Sequence, residues 1–279
     1  MGEKQVSNPK PNITIPVDLT NPGQFFACCG LLELADRLWP GAEGWFDRRQ
    51  FRLWFAGSIS DLLLRVIMDP PVELAHICNG LTVRPIIAPL AVILDGGALR
   101  PVILDFWVRA SLQKGQIQAV GNTPWNLWSG QQTPFGIWEQ LRTELRVIVS
   151  GMNGTDESVD ILNNMRPLTG RFGFDSAAAW KAQDLGFSPN TQGMAVDSSP
   201  ATELLAAIGL QRFRPGRLGQ DGAFSYSTWP EPASPMIASA ASCGAIGSEG
   251  SVYKFEINSR GQYAAFGTAT PVQGDLHNV

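Results

Sequence analysis

Residues 22–39, PGQFFACCGLLELADRLW, constrain the fold more than any other stretch of the chain. Phe25, Cys28, Cys29, Leu32, Ala35 and Trp39 recur at helical spacing along one face, and Ala27, Leu31, Leu34 and Leu38 make a second apolar stripe. Only Glu33, Asp36 and Arg37 are left as a narrow wet edge, with Glu33 and Arg37 spaced to pair. A helix apolar around most of its circumference has to lie inside the molecule, with the rest of the chain wrapped about it. Thr20 or Asn21 is placed to cap its start, and Pro22 suits its first turn. Gly30 costs the helix roughly 1 kcal/mol relative to alanine, a loss that close approach of another backbone would offset. Side chains of adjacent residues point about 100° apart on a helix. Cys28 and Cys29 therefore read as small core residues more readily than as a redox pair.

The same pattern returns later. FFACCGLLELADR (25–37) lines up with LLAAIGLQRFRPG (204–216), matching Ala27 to Ala206, Gly30 to Gly209 and Leu31 to Leu210. Each segment follows a proline, runs into Pro-Gly and is succeeded by an aromatic stretch. Chance or an internal duplication would account for this, and an α+β architecture follows either way: antiparallel sheets packed with helices. Strands are expected at 13–19, 48–57, 81–87 and 99–108, with a closing hairpin over 251–268 turned at Asn258-Ser259-Arg260-Gly261. Helices are expected near 58–68, 71–79, 133–151, 157–165 and 200–211. GMNGTDES (151–158) reads as a linker, dividing lobes at 12–150 and 159–270 from loose tails at 1–11 and 271–279.

Composition narrows the function classes. The net charge of −4 argues against a free-standing nucleic-acid binder, which carries a clear positive excess. Charged residues are only 16% of the chain and there are nine tryptophans, a balance that fits surface buried against a partner. Cys28, Cys29, Cys78 and Cys243 form no CxxC pair, and His76 and His277 stand far apart, so neither a metal site nor a cofactor is expected. The polar start MGEKQVSNPKPN has no signal-like apolar run, and PIIAPLAVIL (85–94) is too short to span a bilayer. The expectation is a cytoplasmic protein without a membrane partner. Phosphate-cradling GxxxxGK[ST] and nucleophile-elbow GxSxG motifs are absent, and Asp95, Asp105, Asp175 and Asp184 are scattered singly. No catalytic residue is assigned, and the chain reads as a binding protein rather than an enzyme. A metal-dependent nuclease-like accessory and a purely structural adaptor stand as alternatives.

Binding features are more informative. Arg48, Arg49 and Arg52 cluster with Trp45 and Trp54 interleaved, and Arg212, Arg214 and Arg217 surround Phe213 and Pro215. Guanidinium groups fork onto phosphates and aromatic faces stack on bases; solvated strand edges are the plainer reading of both clusters. NTPWNLWSGQQTPFG (122–136) sets Gln131 and Gln132 ahead of a helix start, where unpaired backbone donors favour an anion. Equally, Trp125 and Trp128 would anchor that loop in the core while the glutamines cap the helix.

NPGQFFACCGLLELADRLW, LDFWV, LWSGQQT and RFGFDSAAAWKAQDLGFSPN together resemble proteins encoded beside the interference genes of type I-G CRISPR systems, formerly called type I-U. PATELLAAIGLQRFRP is similar to stretches of the large-subunit-like proteins of those systems, and the likeness spans most of residues 13–230. The resemblance implies a non-enzymatic subunit or accessory of a CRISPR surveillance complex in antiviral defence. Its partners would be other CRISPR-associated subunits, with guide RNA or target DNA. In such complexes base pairing reads sequence while proteins hold backbones. The resemblance implies one of two folds: related ferredoxin-like lobes, as among the RNA-binding members, or the less regular fold of the large subunits. The acidic balance of this chain favours docking against basic neighbours, and no functional residue of the family transfers to the arginine clusters.

Overall fold

A computed structural model describes residues 9–76, 81–113, 116–128, 132–152, 158–178, 195–218, 222–260 and 263–272, and its fold is α+β. Strand β1 (Ile13–Pro16) leads into helix α1 (Pro22–Leu38), and the hairpin β2 (Glu43–Asp47) and β3 (Gln50–Trp54) follows. These strands make an antiparallel sheet in the order β1-β3-β2. Helix α2 (Ile59–Ile67) precedes a second small antiparallel sheet of β4 (Val72–Glu73), β5 (Leu90–Val92) and β6 (Val102–Leu104). Strands β7 (Val108–Gln113) and β8 (Gln116–Asn122) pair only with each other among the described residues. Helix α3 (Pro134–Ser150) comes next, then the pair β9 (Arg166–Leu168) and β10 (Val196–Ser198), and helix α4 (Pro200–Arg212). The last part holds β11 (Gly216–Leu218), β12 (Ala223–Ser227), helix α5 (Pro235–Ser242) and β13 (Val252–Phe255). The pair β14 (Ile257–Arg260) and β15 (Tyr263–Phe266) follows, and β16 (Thr270–Pro271) then returns to β13 to complete a sheet in the order β11-β12-β13-β16.

Helices α1 and α4 lie side by side at the centre. Fourteen of the seventeen residues of α1 are buried, as its apolar circumference requires. Asn21 caps it by accepting from the Gly23 N–H, with Pro22 in the first turn. Ser199 caps α4 in the same way through the Thr202 N–H. Gly30 and Gly209 explain each other. A Cβ at Gly30 would collide with the Leu205 carbonyl oxygen, and a Cβ at Gly209 with that of Phe26. Under the alignment of the two segments Leu205 matches Phe26, so the contact is reciprocal: each glycine admits the backbone opposite the other. The helices are parallel, with both capped ends at residue 175 and their C-terminal ends joined by Glu33 and Arg212. Alanine at Gly30 is expected to lower stability by about 2 kcal/mol, because the obstruction is main chain and cannot rotate away. G30A/G209A should cost less than the sum of the single changes, since either methyl already parts the helices. Urea denaturation of the three variants measures this.

A single hydrophobic cluster runs from Ile13 to Ala269, so the segments expected as lobes at 12–150 and 159–270 share one interior. Cys28 and Cys29 are fully buried and unbonded, and burial pushes both thiols well above their ordinary range. Glu33 departs from expectation. It is 3% exposed rather than on a wet edge, because Arg37 and Arg212 both donate to its carboxylate. Of the helix expected near 71–79, the described residues 71–76 hold strand β4 and a His76–Thr82 bridge instead. Leu74 and Val83 there donate to Pro89 and Ala75, lacing an extended segment onto β5. At 81–87 the expected strand gives way to a short 3-10 turn over Pro85–Ile87, which proline suits. Residues near 157–165 pair with β1 instead of coiling: Val159 donates to the Thr14 carbonyl. In the final hairpin Arg260 pairs with Tyr263, so Asn258 and Ser259 belong to the strand and not the turn.

Candidate functional site

Two sites stand out, one buried and one open. At the buried one the segment 173–176 passes between the N-terminal ends of α1 and α4. Asp175, 2% exposed, accepts from Asn21 Nδ2 (2.8 Å), the Ala177 N–H (3.1 Å), Ser198 Oγ (3.3 Å) and the Ser199 N–H (3.1 Å). Asn21 in turn accepts from the Gly23 and Ser176 N–H groups. Glu203 is fully buried in the first turn of α4 and receives the N–H groups of Gly173, Phe174 and Asp175 at 2.9, 3.3 and 3.1 Å. Burial, and then the charge of Asp175, raises its pKa from 4.5 to about 7, against the pull of those N–H groups and of Arg171. Gly173 adopts φ +92°, a conformation that favours glycine. The RFGFDS stretch is thus a polar plug that pins two helix caps together. Asp175 has all four of these donors on its oxygens, which leaves it a structural carboxylate. Of the other scattered aspartates, Asp105 accepts from Gln211 Nε2 at 3.0 Å, Asp95 pairs with Arg65 at 3.2 Å, and Asp184 lies outside the described residues. Among the described residues no three His, Cys, Asp or Glu side chains group so as to hold a metal ion.

The open site forms around the β2–β3 turn. Asp47 pairs with Gln50, leaving Arg48 and Arg49 as the two turn residues. A two-residue hairpin turn of this hand wants φ > 0 at its first position, normally supplied by glycine. Here Arg48 fills it at φ +56°. Both arginines are exposed and line a cleft of about 600 Å³ with Asp18, Thr20, Glu249 and Tyr253. Tyr253 is half-buried and continues an aromatic column outward from the core. Its ring stacks on Tyr226 at 5.5 Å, and Tyr226 stacks on Phe25 of α1 at 4.3 Å. The Tyr226 hydroxyl donates to the Leu19 carbonyl at 2.6 Å, fixing the column against the connection from β1 to α1. Burial and the Asp18 charge raise the Tyr253 pKa, and Arg49 works against them.

The other residues expected at a binding surface are dispersed. Arg52 is tied to Asp47 at 2.6 Å across the hairpin. Trp45 is buried, and Trp54 is exposed at the far end of β3. Arg212 serves Glu33, Arg214 lies 5.5 Å over the Phe106 ring, and Arg217 lies 5.9 Å over Phe224. Arg212, Arg214 and Arg217 are not among the residues that line the cleft. Gln132 donates to the Thr169 carbonyl at 2.8 Å, beside Gln140, which accepts from the Gly170 N–H. Gln131 lies outside the described residues, as do Cys78 and His277. Trp128 is buried and donates to the Ile86 carbonyl, and Trp125 packs on Phe224, so the tryptophans anchor their loop in the core. The sequence reading missed Tyr253, Asp18 and Glu249. Period-two alternation in VYKF marks a strand but says nothing about which hairpin faces it.

Comparison of the chain with protein-family models, with curated proteins and with solved structures finds no match. Among the described residues no helix is long and apolar enough to cross a membrane.

Proposed function

We propose that the chain is a non-catalytic subunit or accessory of a type I CRISPR interference complex, working in the cytoplasm in antiviral defence. It docks on other CRISPR-associated subunits and lays its Arg48–Arg49 cleft against the nucleic-acid backbone that the complex holds. The family part rests on the motif set quoted above. Arg48 carries the contact surface. A non-glycine residue at positive φ costs roughly 1–2 kcal/mol, and such strain is retained where the side chain has work to do. Two free-standing guanidinium groups beside a half-buried tyrosine offer phosphate contact and a stacking face together. The acidic lining residues Asp18 and Glu249 keep this contact weak in isolation, in keeping with a protein that meets nucleic acid only within an assembly.

Co-expression with the neighbouring interference subunits and a guide RNA tests the proposal. The chain is expected to co-elute with the complex at gentle salt. R48E/R49E should lower nucleic-acid retention about tenfold at moderate salt while subunit assembly persists. R48G should separate strain from contact, raising the melting temperature slightly while weakening retention. A chain that never co-elutes overturns the family reading. Full retention by R48E/R49E within an intact complex overturns the role of the cleft alone.

A further inference from the structure

Helix α5 keeps its small residues inside and its largest apolar ones outside. It buries Pro235, Ala238, Ala241 and Ser242, and turns its largest apolar side chains to solvent: Met236 is 68% exposed and Ile237 49%. A surface helix ordinarily puts such residues against the core. Ile246, 42% exposed, lines the same groove as Ile237. Ile237 and Ile246 border a groove of about 360 Å³ whose floor includes the buried Trp229, Ala233 and Ala241. Single exposed aliphatics are ordinary; two bordering one concave apolar lining, with Met236 next to Ile237 in the chain, mark a protein contact. The charged residues lining this groove are both acidic, Glu231 and Glu249.

We infer that this groove binds a segment of another protein that presents aliphatic side chains on one side and is flanked by lysine or arginine. The apolar anchors fill the space between Ile237 and Ile246, and the basic flank meets Glu249. A second copy of this chain, set on a two-fold axis through the groove, would bring Glu249 against its own counterpart. A nucleic-acid strand would meet the same negative edge. Pro230 and Glu249 also line the Arg48–Arg49 cleft, so the two surfaces adjoin, but the inference does not rest on the CRISPR assignment.

Two fluorescent amphipathic helical peptides serve as probes, identical in their leucine face and flanked by lysine and arginine in one and by glutamate in the other. Titrated into the full chain at physiological salt, the basic peptide is expected to bind in the micromolar range and the acidic one about tenfold more weakly or worse. M236S/I237S alters only exposed side chains; it should weaken the basic peptide about tenfold with an unchanged melting temperature. E249K should weaken the basic peptide and strengthen the acidic one, while R48E/R49E should not weaken the basic peptide. Hydrogen exchange over 235–249 should slow with the basic peptide only. Three results would overturn the inference. One is no binding of the basic peptide at roughly millimolar concentration. Another is equal binding of both peptides. The third is self-association of the chain, seen by light scattering and abolished by M236S/I237S, which would make a second copy the occupant.

Discussion

Replacing Asp175 with alanine is expected to destabilise the protein by about 4 kcal/mol. The carboxylate has no water to fall back on and four donors depend on it. Removing it strands the Asn21 amide and the Ser199 and Ala177 N–H groups in the interior, each costing about 1–3 kcal/mol if left unsatisfied. It also loosens both helix caps, because Asn21 is the N-cap of α1 and Ser199 that of α4. D175N keeps one acceptor oxygen and most of the shape, so roughly half of the loss should return. Urea denaturation of both variants gives the comparison. A loss below about 1 kcal/mol in D175A, the range of an ordinary surface substitution, would show that the plug does not hold the helix ends.

Stability should also fall as the pH rises from 4.5 to about 7, and the group responsible is Glu203. Its folded pKa of about 7 stands above the ordinary 4.5. The native state therefore holds a proton that the unfolded chain releases, and unfolding becomes easier with each step of pH through that window. Below 4.5 both states are protonated; above about 7 both are ionised and the loss is complete. At 1.36 kcal/mol per pKa unit the decline amounts to roughly 3 kcal/mol. E203Q cannot ionise and should flatten the profile, although its amide group faces an N–H donor and lowers stability at acid pH. D175N removes the neighbouring charge that helps to raise this pKa, so its profile should be shallower than that of the wild type. Denaturant midpoints at pH 5 and pH 8 for the three proteins decide the point. A wild type that gains stability across this window through Glu203 would contradict the assignment.

The central helix pair was largely legible in advance. Periodicity, capping residues and the mid-helix glycine are local features, and α1 has all of them. The echo at 204–216 marked a second helix of the same make, with Gly209 standing in α4 as Gly30 stands in α1, but the contact between the two spans 179 residues and was not read from it. Local reading failed where a distant residue decides the outcome. Glu33 reads as solvent-facing until Arg212, 179 residues on, covers it. Strand β3 falls inside the stretch expected at 48–57, whereas β2, the hairpin β7–β8 and strand β12 lie in stretches where the alternation was passed over or blurred by glycine. The open site was half visible: RR at 48–49 stands out as charge, but neither the left-handed turn nor the Tyr253 wall can be read from neighbouring letters. Gln132 was misleading for the converse reason. An amide ahead of a helix start looks available for a ligand, whereas this one holds the chain at Thr169.

The glycine seam between α1 and α4 also sets a schedule for synthesis. Its partners are separated by nearly two thirds of the chain, so α1 leaves the ribosome long before α4 exists. At about 5–20 residues per second the wait is roughly ten to thirty-five seconds. Throughout it a greasy segment containing Phe25, Phe26 and Leu31 has no counterpart to bury it. Until residue 212 has emerged, such a nascent chain is more open to clumping than the finished one.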